Sequence, residues 1–583
     1  MGVCRFIVSL LLAGSVWAPF AAGQLAIFPL RDIRAGQHAT GKTVFQGNKI
    51  EEFQVEILGV LENVGPRQSI ILARLSGGPL AETGVMQGMS GSPVYINGRL
   101  VGAVALAFNF SKEPIAGIRP IEEMLAVGDA PAPPTARKVA SNRVSNAMSN
   151  VDSFASRLID IATPVSFSGF TAGTLEQFAP QLKKLGLEPR QGVSSGGKLS
   201  PKFGAPASLR PGDMIAVELL SGDLSIGAEG TVTAVDGKAI YAFGHQFMSV
   251  GKTELPFARA EVLTLLPNLS SSFKISSPLE WMGSITQDRS TSIYGELGRK
   301  ADTIPLEITV KDGRRAPLSY HMQMIQDRVL SPYIVQTAVY SAMDATERTL
   351  GLASYSLRGG VEFVQSVPPL KLDNTYAGDF NVPLQASTGV ASPLASILGA
   401  GFDALKIKNI KLEIEASERK RLLQVDQVTA SPKQVHPGDS VELSVTFTGE
   451  NGLETQKSVH YRVPVGAPEG TLNFTVSDGS MTNALDQQMA PSVPKSPTQL
   501  VSFLNNLRPN TNAYVRVWRT DPAFEVQGQD LPDPPPSVGL ILAKAQAAQG
   551  AWFPRGSKVG ELQIETGDVV VTGSKTAQVE VKE

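Results

Sequence analysis

The amino-acid sequence predicts a mainly β protein of several domains, and three observations carry that expectation. The chain has 583 residues with 55 Gly and 40 Pro, too long for one core and turning too often for long helices. Short apolar runs recur, mostly alternating in Phe53 to Val60 and Val441 to Phe447 and continuous in Ile70 to Leu75. Asn97-Gly98 and Asp236-Gly237 each separate two such runs, and these dipeptides accept the positive φ angles of tight hairpin turns.

Taken in order, residues 1–23 are expected to be a signal peptide. Arg5 supplies a positive start, and Phe6 to Ala18 is an apolar run short for a bilayer span. Ala21-Ala22-Gly23 provides small residues for cleavage near Gly23–Gln24. The chain is therefore expected to be exported, to a periplasm or to the extracellular side, with no membrane span after signal removal. Residues 24–127 read as strands and turns. They include the hairpin Val94 to Ile96 with Leu100 to Val104, then a short helix from Pro120 to Leu125. Residues 128–150, with Ala130-Pro131-Ala132-Pro133-Pro134, read as a stiff linker. Residues 151–420 form a second block. It holds a helix near Leu175 to Leu185 that Pro180 would kink, the hairpin Thr231 to Val235 with Lys238 to Tyr241, and a helix from Tyr333 to Leu350. Residues 421–583 show the rhythm of a β-sandwich-like module, with a helix from Ser496 to Leu507 capped by Ser496 or Thr498.

The bulk chemistry narrows the function. Net charge is −2 with no long run of either sign, so no nucleic-acid partner is expected. Cys4 is the only cysteine and lies in the segment expected to be removed. A mature chain without it has no disulfide, no cysteine nucleophile and no cysteine-held zinc. No His-Glu-x-x-His or EF-hand pattern occurs, so no metal is expected, and no cofactor is expected. Gly192 to Gly197 is glycine-rich without strand-and-helix context and reads as a flexible loop.

The sharpest local signal is Gln87-Gly88-Met89-Ser90-Gly91-Ser92-Pro93, directly before the Asn-Gly hairpin. A nucleophilic serine needs a tight turn that presents its hydroxyl and aims backbone N–H groups at a developing oxyanion. Glycines on both sides of Ser90 permit that shape. Taken alone, such a turn is more often structural than catalytic.

The longer segment from Glu82 to Pro93, with Asn97-Gly98 and Gly102-Ala103-Val104, closely resembles the nucleophile segment of the SpoIVB-type serine peptidases. The resemblance implies Ser90 as nucleophile and Ser92 as a turn residue. By analogy with trypsin-like turns, the N–H groups of Gly88 and Ser90 become the oxyanion donors. Ile240 to His245 resembles the family segment that ends in Gly-His, which implies His245 as general base. The other histidines, His38, His321, His436 and His460, lack that context. Ser272 to Gly298 resembles the continuation after the family's histidine.

Two departures accompany the likeness. The family's His segment precedes its Ser segment, whereas here Ser90 comes first, so the order is permuted. The family's acidic residue lies shortly before the serine, and the matching stretch Leu75-Ser76-Gly77-Gly78-Pro79 has no acid. Asp288 is a candidate replacement, with an ion pair to Arg289 or a turn cap as its plainer role. The fold implied is mainly β, with a trypsin-like double β-barrel core built from two halves and a C-terminal β-sandwich-like module. The function implied is a serine endopeptidase acting on a polypeptide substrate through a Ser90 acyl-enzyme. The alternative is an inactive peptidase-like scaffold that binds peptides or envelope partners.

Overall fold

The computed structural model describes residues 25–108, 111–128, 158–161, 163–184, 187–192, 200–269, 271–346, 350–489, 494–520, 523–526, 529–532, 535, 537–538, 540–541 and 557–583. The expected signal peptide, the linker from 129 onward and residues 193–197 of the glycine-rich loop lie outside them.

The first half closes a barrel. Strands β1 (His38–Val44), β2 (Ile50–Gly65), β3 (Gln68–Ser76), β4 (Pro93–Ile96), β5 (Arg99–Phe108) and β6 (Ile115–Pro120) pair in the order β1-β2-β3-β6-β5-β4, and β4 returns to β1. Alternation does the sorting: Phe53, Val55 and Ile57 of β2 point inward and join Ile71, Ala73, Leu75, Val94, Val104 and Ile118 in one core. The Asn97-Gly98 turn forms as expected, with φ of 51° and 76° and Ile96 opposite Arg99. Short helices α1 (Leu80–Thr83) and α2 (Ile121–Leu125) flank the ring.

Strand β7 (Leu158–Asp160) pairs with β5. Strands β8 (Thr163–Ser168) and β9 (Leu187–Gln191) are parallel and joined by α3 (Ala172–Lys184). This helix runs through Pro180 without ending there, its buried face Thr174, Phe178 and Leu182 held by packing. β10 (Ser200–Phe203) leads to a second ring of β11 (Met214–Gly222), β12 (Ser225–Asp236), β13 (Ala239–Ala242), β14 (Gly251–Leu266), β15 (Phe273–Arg289) and β16 (Ser292–Leu297). Its pairing order is β11-β12-β13-β16-β15-β14, closed by β11 with β14. Counted along the chain, both rings have the strand order 1-2-3-6-5-4. The β12–β13 hairpin turns on Gly237 and Lys238, one residue later than the Asp-Gly dipeptide suggests, because Asp236 is paired with Ala239.

The second ring's sheet extends outward from β11. It continues through β17 (Thr303–Lys311), β18 (Leu318–Ile325), β19 (Leu350–Phe363), β20 (Leu370–Phe380) and β21 (Ile407–Ser417), in the order β11-β18-β17-β21-β19-β20. Helices α4 (Leu330–Asp344) and α5 (Val382–Ala400) share that core through Ile334, Val335, Val390 and Leu394. No helix among the described residues is long and apolar enough to cross a membrane.

The C-terminal part is a sandwich of a four-stranded and a five-stranded sheet. Leu443, Val445 and Phe447 of one sheet and Phe474, Val476 and Val517 of the other fill one core. Its helix Pro497–Asn505 is capped by Ser496, whose Oγ accepts from Gln499 N at 3.2 Å.

Two apolar clusters weld the rings. Val44 meets Met214, Ala216, Ala260 and Val262 on one side, and Leu100, Ala103, Ile121 and Met124 meet Ala234 and Tyr241 on the other. Gly47 and Val262 exchange backbone hydrogen bonds of 2.7 Å across the seam.

Candidate active site

Ser90 lies in the connection between the third and fourth strands of its ring, and His245 in the same connection of the other ring. The two connections face each other across the seam. Thr231 N donates to Ser90 O at 2.8 Å, and Gly91 N donates to Val104 O at 2.8 Å. A Cβ on Gly91 would lie 1.9 Å from Thr231 O and 2.6 Å from Phe243 N. A Cβ on Gly244 would lie 3.1 Å from the Ala105 Cβ. Bare backbone lets the serine turn approach β12 and the start of the histidine turn at Gly91, and lets the histidine turn pack on β5 at Gly244.

Beside Ser90 the backbone is arranged asymmetrically. Met89, Gly91 and Ser92 each donate their N–H to a carbonyl. Among the described residues the N–H groups of Gly88 and Ser90 donate to none. Two threonine hydroxyls fix this orientation from β12: Thr231 Oγ1 donates to Gly88 O at 2.8 Å and Thr233 Oγ1 to Gly91 O at 2.7 Å. Holding the carbonyls back against β12 leaves the two N–H groups for another acceptor. Ser90 is fully buried, and among the described residues neither its Oγ nor that of Ser92 has a hydrogen-bond partner. A buried hydroxyl without a partner is costly unless a function keeps it.

His245 is also buried, behind a strained turn. Phe243 holds a φ of 69°, which a bulky residue rarely adopts, and Gly244 one of 73°. The Phe243 ring fills the space over Gly230, where a Cβ would meet it at 2.3 Å. Arg119, buried on β6, donates Nε to Gly244 O at 3.3 Å. His245 Nδ1 lies 2.6 Å from Gln246 O. A carbonyl only accepts, so Nδ1 is the protonated nitrogen of that contact, and in the neutral ring Nε2 carries the lone pair.

Asp288, at the end of β15, is fully buried. Its Oδ1 accepts from Phe247 N at 2.8 Å, and its Oδ2 from Met248 N at 2.8 Å and Val250 N at 3.2 Å. The carboxylate thus anchors the loop after His245. Arg289 instead donates to Gln287 Oε1.

Sequence reasoning passed over several residues here. Thr231 and Thr233 were visible as an alternating Thr-Val-Thr, which puts both hydroxyls on one face of a strand. Lys274 gave no signal. It is buried, its stem lies against Gly88 and its Nζ donates to Thr43 Oγ1 at 2.7 Å. Burial pulls its amine down to about 7. Gln87, just before the serine turn, is bound through its backbone at the start of β15: its N–H donates to Ser272 O at 2.9 Å and its carbonyl accepts from Lys274 N at 3.2 Å.

Comparison with known families places this geometry. Residues 15–125 match the family model described as SpoIVB peptidase S55. The S55 segment spans the first ring, the Ser90 turn and α2, and supports a serine peptidase. The ring that carries His245 lies beyond it. No curated protein and no solved structure matches the chain. Among the described residues no group of three or more His, Cys, Asp or Glu is placed to hold a metal ion.

Proposed function

We propose that this chain is an exported serine endopeptidase that cleaves polypeptides through an acyl-enzyme on Ser90, with His245 as general base. The observation that carries the proposal is the meeting of two equivalent turns. One holds a buried serine hydroxyl and two N–H groups that have no partner among the described residues, and the other holds a histidine whose Nδ1 proton is engaged by a carbonyl.

The chemistry follows from those atoms. His245 Nε2 takes the proton of the Ser90 hydroxyl as Oγ bonds to the scissile carbonyl carbon. The negative charge that gathers on the carbonyl oxygen meets the N–H groups of Gly88 and Ser90. Collapse breaks the C–N bond, and His245 returns its proton to the departing amine. Water then repeats the sequence on the Ser90 ester and releases the acid. The Gln246 carbonyl accepts from Nδ1 where a carboxylate serves in other triads. Asp288 acts one step removed, as a positioning residue that fixes the loop bearing that carbonyl.

The test is reaction of the purified protein with a serine-reactive phosphonate, beside Ser90→Ala and His245→Ala. Labelling of the wild type that is lost in both variants is the expected result. Labelling that survives Ser90→Ala assigns the wrong serine, and an unlabelled, folded wild type overturns the reading.

A further inference from the structure

Beside the serine turn stands a guanidinium that the proposed chemistry does not use. Arg190, half-buried on β9, lies over the Phe273 ring with its guanidinium carbon 3.9 Å from the centroid. Its Nε donates to Gln87 Oε1 at 3.0 Å. The ring contact and the hydrogen bond together fix the position of the group. Gln87 is itself held through its backbone at the start of β15, so the anchor is rigid. Among the described residues the two terminal nitrogens of Arg190 donate to nothing, and Arg190 forms no ion pair. The acid that acts on it electrostatically, Glu188, is paired with Lys183 at 3.6 Å. Burial works against the Arg190 charge and lowers its pKa.

A planar, oriented, half-desolvated fork with free terminal N–H groups matches a carboxylate in two-point contact. The site is local to the reaction. Gln87 precedes Ser90 by three residues, a span of at most about 10 Å, and the glutamine side chain, its hydrogen bond and the fork add at most about 10 Å more, a total that an extended peptide crosses in about six residues. We propose that Arg190 is a specificity residue that binds a substrate carboxylate within about six residues of the scissile bond. This inference rests on the peptidase reading above. The carboxylate has two possible sources, an Asp or Glu side chain or the free C-terminus of a short substrate.

The experiment is a competition digest read by mass spectrometry, with the full-length protein, Ser90→Ala, Arg190→Gln and Arg190→Lys. The peptides come in matched sets: Glu at each position flanking a common core with the C-terminus amidated, Gln at the same positions, and the Gln peptide with a free C-terminus. Thermal melts establish that each variant is folded. The expected result is Ser90-dependent cleavage, with kcat/KM at least about tenfold higher for the carboxylate peptide than for its Gln counterpart. That ratio falls towards one in Arg190→Gln, and Arg190→Lys, which keeps charge but not the fork, lies between. Preference confined to the free C-terminus assigns the terminal carboxylate, and preference in the amidated Glu set assigns a side chain. Ser90-dependent cleavage with a ratio near one, or a preference unchanged in Arg190→Gln, overturns the inference and leaves the peptidase reading standing. Absence of Ser90-dependent cleavage overturns both.

Discussion

At the scale of single residues, the site depends on what is left out. Gly91 combines a φ of 93° with a backbone oxygen 1.9 Å from where its Cβ would be. An alanine there must move β12, and with it the Thr231 and Thr233 hydroxyls that hold the turn. Gly98, in the hairpin just beyond, has a φ of 76° and nothing within 4 Å of its missing Cβ. The pair separates crowding from backbone conformation. Gly98→Ala should cost about 1 kcal/mol, the ordinary penalty of a left-handed residue. Gly91→Ala should cost about 3 kcal/mol or more, strain and collision together. Phosphonate labelling should persist in the first and disappear in the second. Equal melting temperatures and equal labelling would refute the view that close approach of the two turns, rather than φ, is what Gly91 provides.

At the scale of elements, the loop from Gln246 to Val250 is the least regular part of the site and the most dependent on one side chain. Asp288 receives three of its N–H groups. Asn in its place keeps the shape but turns an NH2 towards donors, losing charge-assisted bonds worth about 1.5–3 kcal/mol each. Asp288→Asn should therefore slow phosphonate labelling at least about tenfold and speed amide exchange at Phe247, Met248 and Val250, while the rings stay folded. Unchanged exchange at those amides would remove Asp288 from its positioning role. This loop also shows where sequence reading stops. Asn97-Gly98, the Thr231 to Tyr241 hairpin, the Ser496 cap and the Ser90 turn were legible because each is encoded within a dozen residues. The Asp288 bonds join residues about 40 apart, and the stack of Arg190 on Phe273 joins two strands distant in the chain. Helix α5 was not anticipated, since Pro393 interrupts its pattern and its helicity rests on burial of Val390, Leu394 and Ile397. The seam itself depends on the two rings having the same strand order, which brings equivalent connections together and which no local pattern encodes.

At the scale of the whole molecule, the second ring carries a buried acidic pair that ties stability to pH. Glu218 on β11 and Glu229 on β12 are both buried on the face that also carries Met214 and Thr231 towards the first ring. Burial, helped by the charge of Glu229, raises Glu218 to about 8, and burial raises Glu229 to about 7 against a hydrogen bond from Ser166. Both folded-state values exceed the ordinary 4.5, so the native state holds protons that the unfolded chain releases. The stabilisation is fully present below about pH 4.5 and is lost as pH rises through 7 and 8. Lys274 works in the opposite sense. Its folded value of about 7 lies below 10.5, so its share is present above pH 10.5 and lost as pH falls towards 7. Near pH 5 the cost of the protonated lysine is therefore the larger, and by pH 8 the cost of the two acids dominates. A tenfold change in proton affinity between folded and unfolded chain is worth about 1.4 kcal/mol, so Glu218→Gln should raise stability by a few kcal/mol at pH 9 and change it little at pH 5. Melting temperatures of wild type and variant across that range would show curves that converge in acid and separate in base. Parallel curves would mean that Glu218 is already charged in the folded barrel, and that the second ring tolerates two buried carboxylates.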